Sequence, residues 1–404
     1  MRRVPRLWSR LRSASFGPTL FANGLLAAVA FSSEAQAGVA QTAKITAAVE
    51  RHFTTNALDS DHAVSDWYTL LRGSLQREWG DADATVTLGA EVEATRHDTV
   101  RIEDDRALTL SAQAFRRLRP GLELRGTLTY RISSEGDDFA IGPLTLGTRT
   151  AKQVFGASGQ VGIDLGDATS LILEVGDSFE MIGNSHFKPA LLSPVQLDAD
   201  RNRLQAGFRL ARALGRFTIG ASGSALLVSV QQLGSPPVAV GFQRYSLRGE
   251  FAWTGADGSS AGVAAGAEFL RATDGLYGAI RPAWQIAFKK ALPRNFELRG
   301  TYCGRFEDID SDDPLASWLQ RAELEAGWKA GAKLALSAGL FWQDKRNLLF
   351  ENTERSHGVY AEAAYRLTPS TQAVLRLDAS RTFKSVLETR EDTIDVFLGW
   401  RASL

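Results

Sequence analysis

Residues Thr393 to Leu404 alternate without a break. Ile394, Val396, Leu398, Trp400, Ala402 and Leu404 are apolar, and Asp395, Phe397, Gly399, Arg401 and Ser403 between them are mostly polar or small. A period of two gives a strand one apolar face and one wet face. Such a strand at the end of a chain leaves an open edge unless a first strand closes it. The same pattern recurs from Ala43 onward in segments of about ten residues, the length a tilted membrane strand needs.

Two segments show the pattern most clearly. Between Trp67 and Trp79, Leu71, Gly73 and Leu75 oppose Arg72, Ser74, Gln76 and Glu78, with a tryptophan at each end where membrane barrels carry aromatic girdles. Leu122, Leu124, Gly126, Leu128, Tyr130 and Ile132 oppose Glu123, Arg125, Thr127, Thr129 and Arg131. The first segment is the weakest, with Ile45, Ala47, Val49 and Phe53 set against Lys44, Thr46, Glu50 and His52. Eighteen segments are joined by eight short and nine longer links in strict alternation. Turn residues fill the short ones, as in Gly80-Asp81-Ala82-Asp83, Ala256-Asp257-Gly258 and Thr368-Pro369-Ser370.

These features predict an all-β fold: a transmembrane antiparallel up-and-down β-barrel of about 18 strands, or 16 if segments merge in a pair. An even count places both ends of the barrel on the side of the short turns. A soluble β-sandwich or β-helix would not produce alternating link lengths or aromatics at strand ends.

Composition narrows the function. With 46 basic and 46 acidic residues there is no footprint for nucleic acid. One cysteine, Cys303, leaves no disulfide framework and no cysteine metal site, and nothing calls for a cofactor. Arg2, Arg3, Arg6, Arg10 and Arg12, the apolar run Leu20 to Phe31 and Ala35-Gln36-Ala37 have the layout of a cleaved signal peptide over residues 1–37. Residues 38–404 are then the barrel domain, mildly acidic once five arginines and Glu34 are removed. The expected location is the outer membrane. The expected partners are its lipids and lipopolysaccharide, the barrel-assembly machinery and further copies of the chain.

The closing strand looks like the terminal signature of outer-membrane barrels, which usually end on an aromatic residue. Trp400, Leu398 and Val396 fit, whereas Leu404 departs from it. The run Val49-Glu50-Arg51-His52-Phe53-Thr54-Thr55-Asn56-Ala57, then Ser65-Asp66-Trp67-Tyr68, resembles a family of β-barrel porins of Proteobacteria. That resemblance spans roughly residues 43–132 and implies an exported barrel with pore function.

By parity the inner face is rich in charge. Candidate lumen-lining residues are Arg72, Glu91, Glu93, Glu123, Arg125, Arg131, Arg209, Arg248, Glu250, Arg299, Arg305, Glu323, Arg376 and Arg401. Arg117, Arg203, Arg244, Arg281, Arg321, Arg366, Glu174, Glu268, Glu297, Glu307, Glu325, Glu362, Asp378 and Asp395 share their parity. A dry core could not hold so many charges, whereas a wide, wet barrel can. They are either a wall of solvated pairs or a transverse field with facing arginine and carboxylate sides.

Ser133 to Ala151, with Phe139, Ile141, Leu144 and Leu146, is a candidate loop folded into the lumen or packed at the rim. Ile182 to Ala199 is the second candidate. Glu103-Asp104-Asp105 and Asp308 to Asp313 read as solvated acidic loops or as weak Ca²⁺ sites. No Ser/His or Asp/His constellation with a family motif stands among His52, His62, His97, His186 and His357, so an enzyme is not expected. The expected activity is passive diffusion of small hydrophilic solutes. The alternatives are an exit barrel of a surface-polysaccharide or secretion system, and a structural barrel with a blocked lumen.

Overall fold

The computed structural model describes residues 40–58, 63–141, 144–190, 192–231, 240–307, 315–349, 352–385 and 389–403. The leader (residues 1–37), the acidic run Asp308 to Asp313 and Leu404 lie outside the described residues.

Every alternating segment becomes a strand: β1 (Ala40–Thr54), β2 (Asp66–Gly80), β3 (Ala84–His97), β4 (Arg106–Arg119), β5 (Leu122–Ile141), β6 (Leu144–Gly166) and β7 (Thr169–Ile182). Then come β8 (His186–Lys188), β9 (Asp200–Leu214), β10 (Phe217–Gln231), β11 (Phe242–Thr254), β12 (Ser260–Ala272) and β13 (Gly278–Leu292). The last are β14 (Phe296–Glu307), β15 (Ser317–Lys329), β16 (Leu334–Asn347), β17 (Thr353–Thr368), β18 (Thr371–Lys384) and β19 (Thr389–Ser403). β8 is a short addition beside β6, so 18 strands make the wall.

Wall strands pair antiparallel with their neighbours in sequence, and β1 pairs with both β2 and β19. The closing register sets Val49 against Trp400 and Phe53 against Val396, joining the apolar faces of the first and last strands. Closure satisfies the backbone groups that a free edge would expose. Leu71, Val92, Val175, Leu247, Val359 and Leu398 are exposed although large and apolar, as a lipid-facing surface requires. Aromatic pairs band that surface, with Tyr130 and Phe155 rings 4.7 Å apart and Phe296 and Trp328 rings 5.1 Å apart.

The expected long connection Ser133 to Ala151 is instead a continuation of the wall. The β5–β6 ladder runs unbroken to Ile141 opposite Leu144. The segment alternates well enough to pair, and an ion pair of 2.6 Å between Lys152 and Glu135 ties it across the strands. Gly147 to Arg149 of this arm pair with β8, so part of the Ile182 to Ala199 connection is spent as a third strand. The link between β3 and β4 packs on the arm: a Cβ at Gly136 would stand 1.4 Å from the Ile102 carbonyl oxygen. Asp104 accepts the His97 N–H at 2.6 Å and Asp105 the Gly136 N–H at 2.8 Å, so these carboxylates organise the loop.

The lumen is entered elsewhere. The β13–β14 ladder stops at Trp284 opposite Gly304, while β12 and β13 stay paired up to Arg271 opposite Gly278. Beyond Gly304 the strand leaves its neighbour and crosses β13 on the inside. The Phe306 N–H donates to Glu268 of β12 at 2.7 Å, and Arg244 of β11 donates to the Phe306 carbonyl at 2.7 Å. The displaced top of β14–β15 brings Phe306, Leu315 and Trp318 against Leu226, Val228, Phe242 and Leu270. Phe306, Leu315, Phe242 and Leu270 are at most 1% exposed.

Candidate functional site

Beneath this infolded hairpin lies a cavity of 730 Å³. Its wall runs from Gln160 on β6 to Glu268 on β12, and Arg305, Phe306 and Glu307 of the hairpin close it from above. A cavity shared by so many consecutive strands of a curved sheet lies on the concave side. Contacts that skip a strand agree: Arg209 on β9 meets Glu250 on β11 at 2.8 Å, across β10.

The cavity carries both signs of charge. Arg248 is bonded to Glu268, which also receives the Phe306 N–H, so one buried carboxylate anchors both the wall and the roof. Arg209 is neutralised by Glu250. Among the described residues Arg305, Glu174 and Glu307 have no ion-pair partner, so they are left to whatever occupies the space. Ser222, Ser224 and Ser246 add hydroxyls. A second cavity of 440 Å³, lined by Glu123, Arg125 and Asp164, shares Gln160 and Ile172 with the first. The second cavity lies on the side of the first that faces the short turns, where Gly121 and Asp164 line it.

The other candidate residues fall into groups around the wall. Arg72 and Glu93 pair at 2.6 Å, and Arg401 holds Glu50 at 2.9 Å. Arg72, Glu91, Glu50 and Arg401 line a cavity of 520 Å³ beside the seam. Glu123 lies 3.5 Å from both Arg117 and Arg125, with Arg131 on the same face of β5. Arg299 is bonded to Glu297 and lies 3.9 Å from Glu325. Glu323 pairs with Arg321 at 2.6 Å. Arg376 is clamped by Asp378 at 2.7 Å, with its guanidinium 4.9 Å over the Tyr360 ring. Most of the inner arginines are therefore in pairs along or across strands, and one cavity gathers Arg209, Arg244, Arg248 and Arg305.

Two features escape a reading by parity. The infolded hairpin is one, because Phe306 and Trp318 alternate like lipid-facing residues. The other is a ring stack across the seam. Phe397, His52, Tyr68 and His97, on β19, β1, β2 and β3, stand 4.6, 4.4 and 4.8 Å apart in succession. His52 lies 3.2 Å from both Glu50 and Asp395, and the Tyr68 hydroxyl donates to Asp395 at 3.0 Å. The polar inner face of β1 signals part of this. Its partners come from opposite ends of the chain.

Closed wall, apolar outer surface and charged interior define the fold of an outer-membrane β-barrel. No family model matches the sequence, and no curated protein matches it. Solved structures do. A structure described as the copper transporter OprC superposes with a TM-score of 0.57 at 10% identity, over 90% of this chain and 80% of that one. OccK2 (OpdF) of Pseudomonas aeruginosa, solved in complex with glucuronate, gives 0.50 at 12% identity over 90% and 98%. The FrpB iron transporter from Neisseria meningitidis gives 0.51 at 8% identity over 84% and 62%.

Proposed function

We propose that this chain is an outer-membrane channel through which small hydrophilic solutes pass by diffusion. The observation that carries the reading is the mixed-charge cavity under the β14–β15 hairpin. Its 730 Å³ suits one small polar molecule, a size common for ligand pockets. Arg305 opposes the unpaired Glu174 and Glu307 there, so a solute with polar or charged groups finds donors and acceptors in place of its water. The fold shared with OccK2 (OpdF), solved in complex with glucuronate, supports the same reading. Under this proposal residues 1–37 are the cleaved leader, and the chain is inserted by the barrel-assembly machinery.

The test is single-channel conductance of the refolded mature chain in a planar bilayer. Discrete steps that grow with salt are expected, and Arg305→Glu should move the reversal potential toward cation preference. A folded barrel that stays silent, with Phe306→Ala silent as well, sinks the reading. The apolar contact of the hairpin with the wall favours a second reading, a barrel shut until a partner moves the hairpin. Silence of the native chain combined with conductance by Phe306→Ala selects it.

A further inference from the structure

On the rim opposite the tight turns, the outer face of β16–β19 changes character within two rows of side chains. Leu340, Val359, Ala379 and Ile394 form one row of cross-strand partners, and Leu340, Val359 and Ile394 are exposed as lipid-facing residues are. One step outward the row is Trp342, His357, Arg381 and Asp392, and the next is Asp344, Arg355, Phe383 and Arg390. Arg346, one step further out on β16, is exposed and has no carboxylate partner among the described residues. Four arginines thus face two aspartates at the boundary of the apolar band. Over β9–β12 the row of partners Leu204, Leu227, Gln243 and Arg271, with Asn202 and Ser229 one step further out, holds a single charge.

We infer that this patch binds the phosphorylated headgroup of an outer-leaflet glycolipid. Arg381 and Arg390 both grip Asp392, at 2.6 and 2.8 Å, which holds two guanidinium forks side by side. Arg355 reaches Asp344 at 3.3 Å and is 62% exposed. Such exposed pairs add little to stability, so the arginines are not needed for the fold. Guanidinium forks match phosphate oxygens in pairs, and the low dielectric of the adjoining lipid strengthens the attraction. Trp342 and Phe383, both exposed, lie in these rows at the depth where the sugar meets its acyl chains. A sugar phosphate carrying acyl chains meets all three requirements at once: anion for the arginines, sugar for the aromatics, alkyl chains for the apolar row. The inference is independent of whether the lumen conducts.

The test counts lipids on the refolded full-length mature chain by native mass spectrometry in detergent. The probes are bis-phosphorylated lipid A, its dephosphorylated form and inorganic phosphate. The native chain should prefer the phosphorylated lipid at least tenfold, with the preference falling as salt is raised. Arg355→Gln/Arg381→Gln/Arg390→Gln should abolish that preference, while Arg271→Gln, across the barrel, keeps it. Heat-modifiable migration in gels checks that each variant is folded, and Arg381→Gln alone should show a partial loss if the triple variant does not fold. Equal binding of the dephosphorylated lipid, an unchanged triple or single variant, or displacement by inorganic phosphate alone would overturn the inference.

Discussion

Asp257 shows what a single residue does in a barrel turn. It sits between β11 and β12, where Gly258 takes a φ of 81°. Its carboxylate accepts the Ser259 N–H at 3.0 Å and the Ser259 hydroxyl at 2.9 Å, and meets Lys290 at 3.2 Å. The Ser259 backbone bond, then its hydroxyl and the Lys290 ammonium, hold the carboxyl down at about 2, from an ordinary 3.8. A carboxyl whose pKa is depressed by folding stabilises the fold above its unfolded value and loses that contribution as pH falls through its folded one. Asp257→Asn should therefore be less stable than the native chain at neutral pH, and the gap should close between pH 3.8 and about 2. Urea midpoints at the two ends of that window check it. The turn was legible in Ala256-Asp257-Gly258, because its chemistry is local. The partners of the inner arginines were not. Parity names the face of Arg248, but its bond to Glu268 depends on strand register, and the reach of Arg209 to Glu250 depends on wall curvature.

At the scale of elements, the top of β14–β15 takes up space inside the wall against β10–β12. Phe306 is 1% exposed and packs edge-on against Trp318, their ring centres 5.2 Å apart. Phe306→Ala should remove about 3 kcal/mol of packing while leaving the wall ladders intact. Because that packing pins only the hairpin, the expected result is a folded barrel with larger and noisier conductance. Unchanged conductance would show that the hairpin does not limit the path. Glu268→Gln tests the polar anchor separately. A neutral amide still accepts the Phe306 N–H but leaves Arg248 without its carboxylate, so ion preference should shift toward anions with little change in size.

All eighteen wall strands could be read from alternation, since one side faces lipid and the other water along the full length. The hairpin could not. Phe306 and Trp318 keep the alternation of a lipid-facing strand, and only the end of the β13–β14 ladder at Gly304 turns that face onto the wall. Ser133 to Ala151 reads by its apolar residues as the stretch that folds inward, yet its alternation lets it pair and stay in the wall.

At the scale of the whole molecule, a barrel stands or falls at its seam, where the first strand must find the last. Backbone pairing from Thr46–Ser403 to Thr54–Asp395 is the same in kind as any other ladder, so it does not by itself choose β19 as the partner of β1. Side chains on the inner face do. Arg401 donates twice to Glu50, at 3.1 and 2.9 Å, and Glu50 is only 3% exposed. His52 reaches Asp395 from β1, and Tyr68 reaches it from β2 across β1. Removing Arg401 strands the buried Glu50; because Arg401 itself is 36% exposed, solvent lowers the cost of about 3 kcal/mol for a fully buried pair to about 2 kcal/mol. Removing one partner of an exposed pair costs about 0–1 kcal/mol. Arg401→Met should thus destabilise the barrel several times more than Arg299→Met, whose pair with Glu297 is far more exposed, although both remove an inner arginine. Because the β1–β19 contact joins the ends of the wall and closes its largest loop, it should form late in folding, and the loss should appear as faster unfolding more than as failure to insert. Unfolding rates in urea, followed by heat-modifiable migration, measure it. Equal rates for the two variants would mean that closure is carried by backbone pairing and lipid-facing contacts alone.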